Sequence, residues 1–204
     1  MAFYTKRYAE LFEQTLAYLR QSDLATFIID QLEESPATIT VEIGGYVEKN
    51  GYRPGEDLGG TIRWNPYKRV HTKEEEGHRK SAGSYQKTLA AVPAHLQDED
   101  SMAGALSPAM LLMHEMGHAY QRLSNDGEFR AMVQGGKKGV KQIENLNVNA
   151  IENTVAQELR EKGILEGVRW RYQDIKGVGL FKDKAKAYEA VEEPFPGWFQ
   201  LQKK

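Results

Sequence analysis

The chain contains no cysteine. This excludes disulfides, thiolate metal sites and cysteine nucleophiles together, and leaves His, Asp and Glu as its only strong metal ligands. Long apolar runs are missing too, since none approaches the roughly 18–20 residues of a membrane span. The first residues, Met1-Ala-Phe-Tyr-Thr-Lys-Arg7, lack the apolar core of a secretory signal, so no Sec signal peptide is expected. Charge of one sign is scarce as well. With 27 Lys and Arg against 29 Asp and Glu, the formal net charge is −2 and the basic residues are scattered. Neither a nucleic-acid partner nor an anionic membrane surface is therefore expected. What remains is an ordinary globular composition, 40% apolar and 27% charged, in a chain of 204 residues that is long enough to bury a core.

One stretch stands out, His114-Glu115-Met116-Gly117-His118, an HExxH pattern. On a helix, residues four apart share a face, so both imidazoles can reach one metal ion at about 2.0–2.1 Å. Glu115 sits one position round, where a general base is needed to act on a water without being a ligand. The surroundings predict that helix: Ser107 is a good N-cap, Pro108 a good first residue, and Ala109 to Met113 are helix formers. Gly117 costs roughly 1 kcal/mol of helix propensity relative to Ala, which predicts close approach by a sheet or a substrate. Chance would produce HExxH in roughly one chain in a hundred of this size and histidine content.

Apolar residues recur at three-and-four spacing from Tyr8 to Leu19 and again from Leu24 to Leu32, with Ser22-Asp23 as a cap between them. Two consecutive helices are predicted there, ended by Ser35-Pro36. Ile39, Val41 and Ile43 alternate with polar neighbours and predict a strand. The stretch from Asn50-Gly51 to Gly60 reads as a turn and loop before a second strand, Thr61–Trp64, stopped by Asn65-Pro66, so a hairpin or short sheet is expected beside the metal helix. Residues 67–94 are polar and read as a loop or lid. His71 and His78 within it, and His95 beyond it, read as surface histidines. After the metal helix, Gln134 to Gly139 reads as a flexible loop. Val148, Ile151, Val155 and Leu159 then line one face of a second amphipathic helix, stopped by Gly163. Residues 164–204 read as an aromatic-rich C-terminal extension, partly packed and partly a poorly ordered end, of a single domain spanning 1–204.

A zinc hydrolase needs a third protein ligand and an open position. No histidine follows His118, and the extended metzincin pattern fails because its glycine and last histidine would fall at Gln121 and Ser124. Unless His71, His78 or His95 folds back, the third ligand is a carboxylate, and the second helix offers Glu152, Glu158 and Glu161. Glu152 and Glu158 lie on opposite flanks of the apolar stripe, each roughly 60° from its centre, so geometry leaves both open, while Glu161 reads as solvent-facing.

These segments resemble the NleD-like effector zinc metallopeptidases and their relatives fused to VgrG and Rhs proteins of bacterial secretion systems. The likeness runs to about Gly163. It is carried by the opening helix ending Leu-Glu-Glu-Ser35, by Thr-Ile-Arg-Trp-Asn-Pro66, by the Pro108-to-His118 helix and by Asn-Val-Asn-Ala-Ile-Glu-Asn-Thr-Val155. It implies an α+β, zincin-like fold with an HExxH helix, a second Glu-bearing helix and a small sheet. It further implies one zinc ion held by His114, His118 and Glu152, the last favoured over Glu158, with Glu115 as general base. The acidic pair and Thr-Val-Gly common in relatives are replaced here by Glu152-Asn153-Thr154-Val155-Ala156. A gluzincin of this kind usually has an oxyanion stabiliser, for which Tyr172 and Arg169 are candidates; Tyr120 points to the far side of the helix. The implied function is that of a zinc endopeptidase secreted as an effector or toxin by a specialised secretion system. Its expected partners are a protein or peptide substrate in a target cell and a carrier or immunity protein. The free edge of the Thr61–Trp64 sheet is expected to hold substrate as an added strand. The alternative is a metal-binding or helical interaction module without peptidase activity.

Overall fold

The computed structural model describes residues 2–44, 47, 49–72, 105–164, 166–167, 175–180 and 197–201. Two helices, α1 (Ala2–Leu19) and α2 (Asp23–Glu34), form where the apolar spacing predicts them. Ser22 divides them as the N-cap of α2, its hydroxyl accepting from the Ala25 N–H at 3.0 Å. The strands are β1 (Ile39–Ile43), β2 (Gly51–Pro54), β3 (Gly60–Trp64), β4 (Lys68–Thr72), β5 (Ala105–Leu106), β6 (Ile175–Leu180) and β7 (Gly197–Leu201). They form one sheet of order β2-β3-β1-β7 and another of order β5-β4-β6. The HExxH helix is α3 (Pro108–Ser124), followed by α4 (Asp126–Gln134), α5 (Gly136–Asn147), a π-turn at Val148–Glu152, and α6 (Asn153–Glu161). The architecture is α+β, and no helix among the described residues is long and apolar enough to cross a membrane.

Several expectations are resolved or corrected. Of the hairpin or short sheet expected, the short sheet forms: β1 and β3 are a parallel pair, Ile39 opposite Gly60 and Ile43 opposite Trp64. β2, taken from the sequence as loop, is the antiparallel partner of β3. The turn lies at Gly55–Gly59, closed by the Gly55 N–H on the Gly59 carbonyl at 3.0 Å, and not at Asn50-Gly51. β3 is therefore paired on both sides, and among the described residues the edges of this sheet are β2 and β7. Gln134 to Gly139 is no flexible loop either. Gly136 turns the chain with φ +62°, and Gly139 sits so tightly on α4 that a Cβ would lie 1.8 Å from the Met132 carbonyl oxygen. These glycines allow a close helix pair that only looks like a loop in sequence. Finally, residues 68–72 of the expected lid form β4, and the C-terminal extension gives one strand to each sheet, β6 beside β4 and β7 beside β1. Residues 73–94 of the expected lid, with His78, and also His95, Arg169 and Tyr172, lie outside the described residues, as does the side chain of His71.

The core joins α1, α2, one face of the β1–β3 pair, the apolar side of α3 and the apolar stripe of α6. Ile39, Val41 and Ile43 point inward in the expected alternation. Trp64 meets Phe12 edge-on at 6.3 Å between ring centroids, and its indole N–H donates to the Pro108 carbonyl at 2.8 Å, which pins the first turn of α3. Asn65 is buried beside it, donating to the Val47 carbonyl at 3.0 Å and accepting from the Tyr67 N–H at 2.9 Å. The start of α3 is held a second time. Ser107 caps it by accepting from the Met110 N–H at 3.2 Å, while its own N–H donates to the buried Glu166 carboxylate at 3.0 Å. Glu166 also accepts from the Tyr18 hydroxyl of α1. Burial raises the Glu166 carboxyl above its ordinary pKa, against the bonds from Ser107 and Tyr18 and the Arg160 charge, all of which lower it.

The far end of α3 is fastened by Arg122, which is only 1% exposed. Its guanidinium donates to the carbonyls of Gly59 (2.8 Å), Gly55 (2.9 Å) and Asp57, and to the Asp126 carboxylate at 2.9 Å. The β2–β3 turn is thus tied to the metal helix by one planar fork. Arg122→Ala is expected to lower stability by about 3 kcal/mol or more, because several buried acceptors lose their donor together. Urea unfolding in the presence of a chelator checks this, and Arg122→Lys should recover only part of the loss, since a single ammonium cannot span the same acceptors.

Candidate metal centre

His114 and His118 lie on one face of α3, both nearly fully buried, with ring centroids 4.7 Å apart. Their Nε2 atoms are 3.2 Å from each other. The Glu144 carboxylate of α5 closes the triangle, its Oε2 lying 3.1 Å from His114 Nε2 and 3.2 Å from His118 Nε2. Donors held at about 2.0–2.1 Å by a tetrahedral ion stand about 3.3–3.4 Å apart, so the three edges are close to those of a ligand set. His114, His118 and Glu144 can hold a metal ion.

The other ring nitrogens assign the tautomers. His118 Nδ1 faces the side-chain amide oxygen Oε1 of Gln121 at 3.0 Å, and His114 Nδ1 faces the Glu152 carboxylate at 3.0 Å. With an ion bound, each Nδ1–H would donate to an oxygen and each Nε2 would offer its lone pair to the ion. Asn147 adds to the grip on His114: its amide donates to the His114 backbone carbonyl at 2.6 Å.

The carboxylate that closes the triangle is not the one expected as third ligand. Glu152 is fully buried and faces His114 on Nδ1, the nitrogen turned away from the triangle, so Glu144 takes the place expected for Glu152. Glu158, on the opposite flank as the helical geometry predicts, accepts from the Ser22 hydroxyl and from the Leu24 N–H at 3.1 Å. There it compensates the positive N-terminal end of α2. Glu161 faces solvent. Glu115 is 8% exposed, and its carboxylate adds to the negative field at His114. Tyr120 points to the other side of α3, as expected, its ring edge-on to Phe27 at 5.8 Å. Glu144 escaped the sequence reading because residues 140–146 were assigned to no element and the carboxylate was sought on the helix that follows. A signal was available, since Glu144 is the only acidic residue in Gly136–Asn147.

Comparison with known families, curated proteins and solved structures finds no match to this chain. What the site can do therefore rests on its own geometry.

Gly117 has a concrete reason in that geometry. A Cβ there would lie 2.2 Å from Asn147 Oδ1, so the missing side chain makes room for Asn147 and not for a sheet or a substrate. Gly117→Ala should therefore destabilise the protein despite a gain of about 1 kcal/mol in helix propensity, and should weaken metal binding by displacing Asn147. Thermal melting and metal titration of the variant check both effects.

The charges around His114 predict a pH dependence. Burial lowers its pKa, but Glu144, Glu152 and Glu115 outweigh burial and raise it to about 9. Burial likewise opposes the charge on Glu144, but the two imidazoles pull its carboxyl down to about 2. In the metal-free protein the His114 contribution to stability is complete below about pH 6.5 and fades as pH rises through about 9. A metal ion must displace that proton. Calorimetry in buffers of different ionisation enthalpy should show about one proton released per ion near pH 7, with apparent affinity rising toward pH 9.

Proposed function

We propose that the chain is a zinc-dependent endopeptidase of the HExxH type. The observation that carries this reading is the convergence of His114 Nε2, His118 Nε2 and Glu144 Oε2 on one point, within the motif that places Glu115 beside it. The donor set of two imidazoles and a carboxylate suits zinc and leaves one position of a tetrahedron free of protein. When bound, zinc would supply a Lewis acid for a carbonyl and lower the pKa of a water toward about 7. The residues divide the remaining work. His114, His118 and Glu144 would hold the ion, and the tautomers set by Glu152 and Gln121 keep both Nε2 lone pairs aimed inward. Glu115 takes a proton from the attacking water and delivers it to the departing amine, which also receives the second proton of that water, so that one peptide bond and one water become a carboxylate and an ammonium group. The zincin-like character of the fold belongs to this proposal and rests on the HExxH helix alone.

The resemblance in the sequence extends the proposal to a biological role. The enzyme would act as an effector or toxin delivered by a specialised secretion system, cleaving a protein in a target cell, with a carrier or immunity protein as a further partner. Glu115→Ala is the decisive variant. Zinc-loaded wild-type protein should cleave peptides from a proteome-derived library, and Glu115→Ala should retain zinc while losing about 10²–10⁴-fold in rate. Cleavage by Glu115→Ala at the wild-type rate would refute the mechanism. Zinc bound tightly by both, with no peptide cut by either, would favour a metal-binding module.

A further inference from the structure

The join between α5 and α6 is not α-helical. Val148–Glu152 is a π-turn, in which the Asn153 N–H reaches back to the Val148 carbonyl. Such a turn carries one residue more than an α-turn. Here the extra residue changes which side chains share a face. Glu144 and Glu152 are eight residues apart, and along an unbroken α-helix they would point about 80° apart. Absorbing one residue in a wider turn reduces that to about 20°. The two carboxylates can then meet the same imidazole from opposite ends, Glu144 at Nε2 (3.1 Å) and Glu152 at Nδ1 (3.0 Å). Asn147, between them in sequence, holds the backbone of that same histidine. The surplus falls on the outer side of the turn, where Asn149 and Ala150 are exposed while Val148, Ile151 and Glu152 are buried.

We infer that the π-turn makes Glu152 a positioning residue for the metal centre: it returns Glu152 to the face of Glu144, where its carboxylate locks the His114 ring with Nε2 turned to the ion. The inference rests on the reading of His114, His118 and Glu144 as a metal site and not on peptidase activity. A ring tied at Nδ1 to a carboxylate is fixed in orientation and is the stronger donor at Nε2. Glu152 therefore acts through His114 without touching the ion.

The test compares wild type, Glu152→Gln, Glu152→Leu and a chain lacking Ala150. Zinc affinity is read by competition with a chromophoric chelator, and ligand geometry from the visible spectrum of the cobalt(II)-loaded protein. Glu152→Gln keeps an oxygen that accepts from Nδ1–H and should bind zinc nearly as well as wild type. Glu152→Leu removes the acceptor and should bind 10–100-fold more weakly, with an altered cobalt spectrum. Removing Ala150 should let the turn close to an ordinary α-turn with Glu144 and Glu152 still about 20° apart, leaving affinity and spectrum unchanged. Glu152→Leu binding zinc as tightly as wild type would overturn the inference. So would a shortened chain that melts like wild type yet loses zinc as severely as Glu152→Leu. If the shortened chain fails to fold, the Leu and Gln variants decide the matter by themselves. Wild type that binds no zinc would overturn the metal-site reading, and the inference with it.

Discussion

Two imidazole nitrogens do not rest 3.2 Å apart inside a protein unless something positive lies between them or a proton is shared. The contact between His114 Nε2 and His118 Nε2 imposes this condition, and the neighbouring groups are arranged to meet it. Three carboxylates act on His114, from Glu144, Glu152 and Glu115, in surroundings that burial has made poor at screening charge. Without a cation, the site keeps a proton on His114 well above the usual imidazole range. A divalent ion offsets two of those negative charges at once, whereas a proton offsets one. The proposed metal site would draw on this surplus of acids over bases.

This arrangement requires a helix that does not shift, and α3 is fastened along its length. Trp64 and Glu166 hold its first turn, through the Pro108 carbonyl and the Ser107 N–H. Asn147 fits against Gly117 and bonds the His114 carbonyl in the middle. Arg122 anchors the end to the β2–β3 turn. Each fastening comes from a different element, so the metal-facing side chains rest on most of the fold and not on α3 alone. Buried polar groups such as Glu166, Asn147 and Arg122 are costly unless paired, which makes these contacts specific as well as strong.

The connection from α5 to α6 shows how a small irregularity can organise a site. An unbroken helix would present Glu144 and Glu152 to different neighbours. The π-turn gives the two acids one histidine to share, and the same run of chain supplies Asn147. Glu158, past the turn, is left on the opposite flank to serve the N-terminus of α2. One widened turn thus brings to one histidine two acids that an unbroken helix would hold apart.

Much of this was legible in the residues. Local signals determined what local physics controls: the capping of α2 by Ser22 and of α3 by Ser107, the alternation in β1, the shared face of His114 and His118, and the opposed flanks of Glu152 and Glu158. Tertiary structure decided the rest. The glycines near residue 136 read as a loop because propensity sees their flexibility, whereas packing uses their lack of a side chain to press α5 onto α4. Pairing β1 with β3 in parallel, and bringing β6 and β7 from the far end of the chain, depends on contacts that no local window contains. The choice of Glu144 over Glu152 had the same cause. Two imidazoles on one helix face follow from a four-residue spacing, but the third donor comes from whichever helix packs across them, and that is settled only when distant apolar faces are buried together.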